Sequence, residues 1–500
     1  MMSKKKIGAL SALLLAISLT APLIAGCSGA GDAAAGDNGV SGAETAEAGD
    51  AGADPAAGLP EKDLGGAEIP VLTWASGDTQ HLDDFIAEEL NGEPLNDAVF
   101  MRNAATEERY NVKLKMIQET RSNFSTNVNN AVMAGDDIYA VVNGGIENGE
   151  LMAQKGYLYD LKSLDSVRLD RPWWDQRFNS DMSICGHLFQ ALGDINKMDD
   201  MQTWGLIFNK HMFEDFSLGD PYSIVTGGAW TLDKMYSMMT TVSYDMNGDG
   251  RMDQNDRWGL LTEHANFIMH FFGAGEKMTR KDQNDVPYLT LNTPRGVSVL
   301  QKIFDIYHDK SSVFNAQEWE SIAADSVYLE FIIPMFMDDQ ALFYYTGIGN
   351  TYKHLRDMES ALGLMPVPKY DEAQDSYYNS VSPSWATSVC VPITCADPDR
   401  SALILESLAV DSVDTVSKAF YEVIFPNKAL RDEGSMAVAD LIFSTRCFDP
   451  GYINKWGDVS GIFWNLSSGT TMDFVSRYAE SESKMQAAME ESIALYQDMK

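Results

Sequence analysis

Cysteine and histidine are scarce: five cysteines and seven histidines in 500 residues. No CxxC spacing and no paired histidines occur, which argues against a zinc site. Basic side chains are also few, 37 Lys and Arg against 73 Asp and Glu, for a net charge of −36. Beyond Lys4, Lys5 and Lys6 no basic cluster appears. A nucleic-acid partner needs a basic face, so none is expected. Sustained heptads, 20–50 residue repeats and a second membrane-length apolar run are all missing. So are a G-x-S-x-G elbow, an H-E-x-x-H motif and a P-loop, and Gly347-Ile348-Gly349 lacks the third glycine of a dinucleotide fingerprint. One catalytic alternative survives, a secreted glycoside-acting enzyme, because its two carboxylates need not be neighbours in the chain.

What the chain does have begins with an address. Three lysines precede an apolar run over residues 7–19 and then small residues, the order of a secretory signal. Leu23-Ile24-Ala25-Gly26-Cys27 resembles the lipobox of bacterial lipoproteins, which implies cleavage after residue 26 and a diacylglycerol on Cys27. Two acyl chains anchor stably, each buried methylene contributing about 0.8 kcal/mol. Pro22 and the small residues weigh against an uncleaved membrane helix over residues 7–26. Residues 27–65 form the lipidated start and a tether, rich in Gly, Ala, Asp and Glu and too polar to order itself. Removing residues 1–26 takes the charge from −36 to −39, an acidity read as solubility.

About 435 residues follow, too many for one core, so two lobes are expected. Residues 68–74, a short apolar run bounded by Gly and Pro, read as the first strand. A helix over 95–109 follows. Val112, Leu114 and Met116 alternate with Lys113 and Lys115, the period of a half-buried strand. A helix over 124–133 and a strand over 138–142 continue the alternation of an α/β fold with a largely parallel sheet. Residues 471–497 read as a closing helix.

Gly186-His187-Leu188-Phe189-Gln190-Ala191-Leu192-Gly193-Asp194, and then Trp204-Gly205-Leu206-Ile207-Phe208-Asn209-Lys210-His211-Met212-Phe213-Glu214, resemble the extracellular solute-binding proteins of ABC importers, sugar-type. Gly228-Ala229-Trp230-Thr231-Leu232-Asp233-Lys234 is similar to the family's helix-opening W-T-W-D-D segment, and Met337-Asp338-Asp339-Gln340-Ala341-Leu342-Phe343 to a later strand, with Asp339-Gln340 where Gly-Lys is usual. Val391-Pro392-Ile393-Thr394 with Asp397-Pro398-Asp399-Arg400 and Ile404-Leu405-Glu406 completes the likeness, which covers most of 66–440. The resemblance implies a two-lobe periplasmic-binding-protein-like fold of type II with a hinge and a cleft. It divides the chain into residues 66–195 plus 385–440 as lobe 1 and 196–384 plus 441–500 as lobe 2. Crossings are expected near 191–198 and 377–385. It implies a monomeric receptor, held at the outer face of the membrane by its lipid, that closes on a small solute and passes it to an ABC permease.

Residues 245–256 match a calcium-binding EF-hand loop. Asp245, Asn247 and Asp249 stand at positions 1, 3 and 5, Gly250 at 6, the Arg251 carbonyl at 7, Asp253 at 9 and Asp256 at 12. Asp256 is shorter than the usual Glu there. A structural calcium is expected, against the plainer reading of an acidic turn. A calcium-stiffened surface adhesion lipoprotein is the third functional class. Sugar sites join aromatic faces to carboxylates and amides. Loops after strand ends line such clefts, and this selects Trp74, Asp78, Asn143, Asp194, Trp204, Tyr345 and Trp385 as ligand-binding candidates, Tyr345 within Tyr344-Tyr345-Thr346-Gly347. Trp173, Trp174 and Trp230 are read as packing.

Overall fold

A computed structural model describes residues 55–77, 83–429 and 432–499. The signal sequence, Cys27, most of the tether and Asp78 lie outside the described residues. Among those described, no helix is long and apolar enough to cross a membrane.

Two sheets organise the chain. The first contains β1 (Ala67–Trp74), β2 (Val112–Glu119), β3 (Val141–Gly145) and β12 (Thr387–Cys390), in the order β12-β3-β1-β2. β1 runs parallel to both β2 and β3, and β12 is antiparallel to β3. Ile69, Val71 and Leu72 on central β1 are fully buried, because helices cover both faces. Edge strand β2 keeps the alternation seen in the sequence, with Lys113 and Lys115 exposed, which blunts the edge against pairing. The β1–β2 crossover helix, Pro94–Tyr110, buries Leu95, Ala98, Val99, Arg102, Thr106 and Tyr110 along one stripe and ends on Asn111 in the left-handed region. β3 is displaced toward Gly145 from the expected 138–142. The two glycines let β3 lie against its cover: a Cβ at Gly144 would strike the Phe124 ring, and one at Gly145 would crowd Trp74.

The second sheet contains β4 (Trp204–Asn209), β5 (Trp258–Thr262), β8 (Val313–Asn315), β9 (Ala341–Gly347) and β10 (Leu362–Met365), in the order β10-β4-β9-β5-β8. β5 is parallel to β8 and β9, while β4 is antiparallel to β9 and β10. Two small pairs complete the strands: β6 (Thr279–Lys281) with β7 (Pro287–Leu289), and β11 (Asn379–Ser380) with β13 (Arg446–Cys447).

Before its closing helix the described chain passes between the sheets in three stretches: from β3 to β4, from β10 through β11 to β12, and from helix Pro398–Ser412 to helix Glu433–Ser444. Val416, Phe420 and Ile424 on the third passage belong to the second sheet's core, as do Val438 and Ile442. The closing helix, Phe474–Gln497, starts on that core with Phe474, Tyr478 and Met485, then puts Met489 and Tyr496 into a cluster with Trp74 and Phe189 beside the first sheet.

A buried polar cluster ties the passages together. Lys197 Nζ lies 3.1 Å from Asp200 and 3.5 Å from Asp194, and Arg446 Nη1 lies 2.7 Å from Asp200 and 2.8 Å from Asp199, with Nη2 on Asp175. The third passage joins through Tyr421 Oη, which donates to Asp200 at 2.8 Å, and Ser417, which donates to Asp194. Burial, with Asp200 alongside, pushes the Asp199 carboxyl well up. Burial acts on Asp200 too, but Lys197 and Arg446 outweigh it and hold its carboxyl low.

Cys185, Cys390, Cys395 and Cys447 are all free thiols. Trp173 and Trp174 are buried and donate to Glu406 at 3.1 and 3.0 Å, and buried Trp230 donates to the Pro366 carbonyl at 2.8 Å. All three serve packing.

Glu150 offers a test of the first core. It is buried on helix Ile146–Ala153, accepts from Gln190 Nε2 at 2.5 Å, and burial pushes its carboxyl up to about 7. A folded-state value above the unfolded one means the native state holds the extra proton, so stability falls as pH rises from the ordinary carboxylate range through about 7. Glu150→Gln should therefore stabilise the fold by about 1 to 3 kcal/mol at pH 8 and by little near pH 4 in urea titrations. Equal effects at both pH values would show a carboxyl titrating as if in water.

Candidate ligand cleft

A cavity of about 500 Å3 opens where the second sheet faces the passage between β11 and β12. Trp204 opens β4, Glu263 follows β5, and Tyr344, Thr346 and Gly347 close β9, so strand ends build one wall. Residues 382–385, on the passage toward β12, build the other. Trp385 is held there from behind: its ring meets Trp74 edge-on at 6.5 Å, and the Arg121 guanidinium lies 3.6 Å from its centroid while donating to the Ser384 carbonyl at 2.9 Å.

Trp204 is nearly buried and lines the cavity, and its Nε1 has no acceptor. Glu263 accepts from Tyr328 Oη and, at 3.4 Å, from Gln317 Nε2, and burial raises its pKa. Tyr328 sits on a one-turn π-helix, Tyr328–Ile332, an irregularity common where a side chain must be aimed. Asn350 donates to Thr346 Oγ1 at 2.6 Å, and Gln202 and Tyr452 complete the polar and aromatic walls. His354 also lines the cavity, and burial, with Lys353 adjacent, lowers its pKa. Burial lowers Lys353 as well.

The structure brings together two of the expected ligand residues, Trp204 and Trp385, and sets the other described ones, Trp74, Asn143, Asp194 and Tyr345, elsewhere. Trp74 is buried beneath Trp385. Asn143 is buried in β3, accepting from Asn196 Nδ2 at 2.9 Å. Asp194 belongs to the hinge cluster with Lys197 and Ser417. Tyr345 points away from the cavity, packing on Trp204 at 5.8 Å and His270 at 4.4 Å with its hydroxyl buried. Strand alternation presents its neighbours Tyr344 and Thr346 instead. Glu263 and Tyr328 were missed, although Glu263 directly follows an apolar strand.

The loop at 245–256 forms a chain of self-capping turns. Asp245 accepts from the Gly248 and Gly250 amides at 2.7 and 2.8 Å, Asn247 from Asp249 N, Asp249 from Arg251 N, and Asp253 from Asn255 N, each at 2.8 Å. Gly248 and Gly250 take the left-handed conformations such a turn demands, with φ of 73° and 81°. Buried Asp256 accepts from the Met246 and Asp253 amides at 2.8 Å, so both its oxygens fasten the loop's ends. Among the described residues no three His, Cys, Asp or Glu side chains gather as a metal-holding group.

Solved structures share this architecture. A substrate-binding protein of an ABC system from Listeria monocytogenes, in complex with cycloalternan, superposes with a TM-score of 0.54 at 13% identity, covering 86% of this chain and 99% of its own. The GacH receptor of Streptomyces glaucescens, studied with acarbose, gives 0.51 at 12% identity over 87% and 100%. A cyclic α-maltosyl-1,6-maltose binding protein from Arthrobacter globiformis gives 0.54 at 14% identity over 86% and 99%. No protein-family model and no curated protein matches the sequence. The chain has the two-lobe α/β fold of the periplasmic substrate-binding proteins.

Proposed function

We propose that this protein is an extracytoplasmic receptor that binds an oligosaccharide and delivers it to an ABC permease. The observation that carries the reading is the cleft itself, where Trp204, Trp385, Tyr328, Tyr344 and Tyr452 surround Glu263, Gln202 and Asn350. Aromatic faces take the apolar side of a pyranose, and the carboxylate and amides take its hydroxyls. The volume suits a short oligosaccharide, and the neighbouring structures are described with ligands of that class. Glu263 is the one acidic side chain among the described lining residues, whereas glycoside cleavage uses two carboxyls across the bond. The lipid anchor on Cys27 and a monomeric state belong to this proposal.

Thermal unfolding with a panel of neutral and acidic oligosaccharides tests it. A ligand at 100 times its Kd should add about 2.7 kcal/mol of stability and be recovered unchanged. Release of smaller sugars, or no shift with any member, would reject the receptor reading.

Calcium at the 245–256 loop is the second part of the proposal. The glycine turn and the spacing of Asp245, Asn247, Asp249, the Arg251 carbonyl and Asp253 support it, and a carboxylate oxygen that accepts one N–H keeps capacity for a cation. Asp256 then closes the loop through backbone amides. Millimolar calcium should raise the unfolding midpoint relative to chelator, and Asp249→Ala should abolish the difference. Superimposable transitions with and without calcium would remove the ion from the account.

A further inference from the structure

A second cavity, of about 430 Å3, lies outside the cleft and shares no lining residue with it. Three cations converge on it, Lys277, Arg280 and Arg295, in a chain whose acids outnumber its bases two to one. Two of them already have partners. Arg295 Nε donates to Glu276 at 2.7 Å and its Nη2 to the Ala274 carbonyl at 3.3 Å, while Lys277 Nζ donates to Asp181 at 2.9 Å. Arg280 on β6 is exposed at the rim, and its guanidinium has no partner among the described residues.

Of the two acids lining the cavity, one is ion-paired and the other is only hydrogen-bonded. Glu276 is taken by Arg295, and Asp375 accepts from Tyr378 Oη at 3.3 Å. The floor is apolar. Phe272 and Cys447 are nearly buried there, and burial pushes the Cys447 thiol up to about 12, so it stays neutral. An open guanidinium above a neutral floor, flanked by two further cations, suits a planar or tetrahedral oxyanion attached to a small body. The chemistry differs from that of the cleft, where rings surround a carboxylate.

We propose that this cavity is a second ligand site for a small organic anion, whose carboxylate or phosphoryl group is held by Arg280 with Lys277 and Arg295 beside it and whose body rests on Phe272 and Tyr378. The site stands on its own residues and does not require that the cleft hold a sugar. Its position gives it reach into the hinge: Tyr378 immediately precedes β11 and Cys447 lies in β13, the strand pair of the second passage.

Calorimetric titration of the whole soluble chain at low ionic strength, with malonate and with inorganic phosphate in separate arms, tests the proposal. Saturable binding of either anion is expected, and the arm that binds identifies the preferred oxyanion. Arg280→Gln should weaken that binding at least about tenfold, with Arg280→Lys intermediate, since a two-point contact is reduced to a point charge and then removed. Arg280 has no side-chain partner among the described residues, so the unfolding midpoint should not move. Saturation by neither anion, or wild-type affinity in Arg280→Gln, would overturn the site. Oligosaccharide binding followed in parallel keeps the two readings separate, because Arg280 does not line the cleft.

Discussion

Trp204→Ala is expected to weaken oligosaccharide binding by about 2 to 4 kcal/mol, roughly thirtyfold to a thousandfold in Kd. The indole lines the cavity and supplies the aromatic wall on which the apolar side of a pyranose would pack. Tyr345→Phe is the control. Its hydroxyl is buried and unpartnered behind the wall, and removing it should leave Kd within a few-fold while slightly stabilising the fold. Tyr344→Ala should behave like Trp204→Ala in direction. Calorimetry on the three variants decides the matter: unchanged affinity in Trp204→Ala would mean that the ligand sits elsewhere.

Arg446→Met should cost about 3 to 5 kcal/mol of stability, the largest loss expected from one substitution away from the apolar cores. The guanidinium faces Asp175, Asp199 and Asp200, and without it Lys197 alone would balance them in a site closed to water. Asp199→Asn makes the contrast. Burial already favours the protonated Asp199, so the amide should be nearly neutral for stability, whereas Asp200→Asn, which disarms a carboxylate held ionised by two cations, should be damaging. Urea titration of the three variants gives the order, and a loss under about 1 kcal/mol in Arg446→Met would show that water reaches the cluster.

Local patterns carried most of the architecture. The alternation from Val112 to Met116 sets an edge strand, and the apolar run before Trp74 sets a central one, because each burial pattern follows directly from side-chain periodicity. The site was legible only where that periodicity could be extended by one step. Trp204 and Trp385 stand at the cleft wall, but Tyr345 faces away because neighbouring residues on a strand point to opposite faces, and Tyr344-Tyr345-Thr346 gives no local sign of which face is which. Glu263 and Tyr328 are separated by 65 residues and meet only through the fold. Asn143 and Asp194 look like ligand residues in sequence, being polar and next to strands. Their partners, Asn196, Lys197 and Ser417, come from the passages, which no local pattern reveals.

The closing helix has a mechanical consequence. Twenty-four residues at about 1.5 Å each make a rod of roughly 36 Å, rooted by Phe474 and Tyr478 at one end and by Met489 and Tyr496 at the other. A stiff brace fastened to both halves resists their pulling straight apart along its length. The last turns of the helix, through Met489 and Tyr496, are what fasten that brace beside the first sheet.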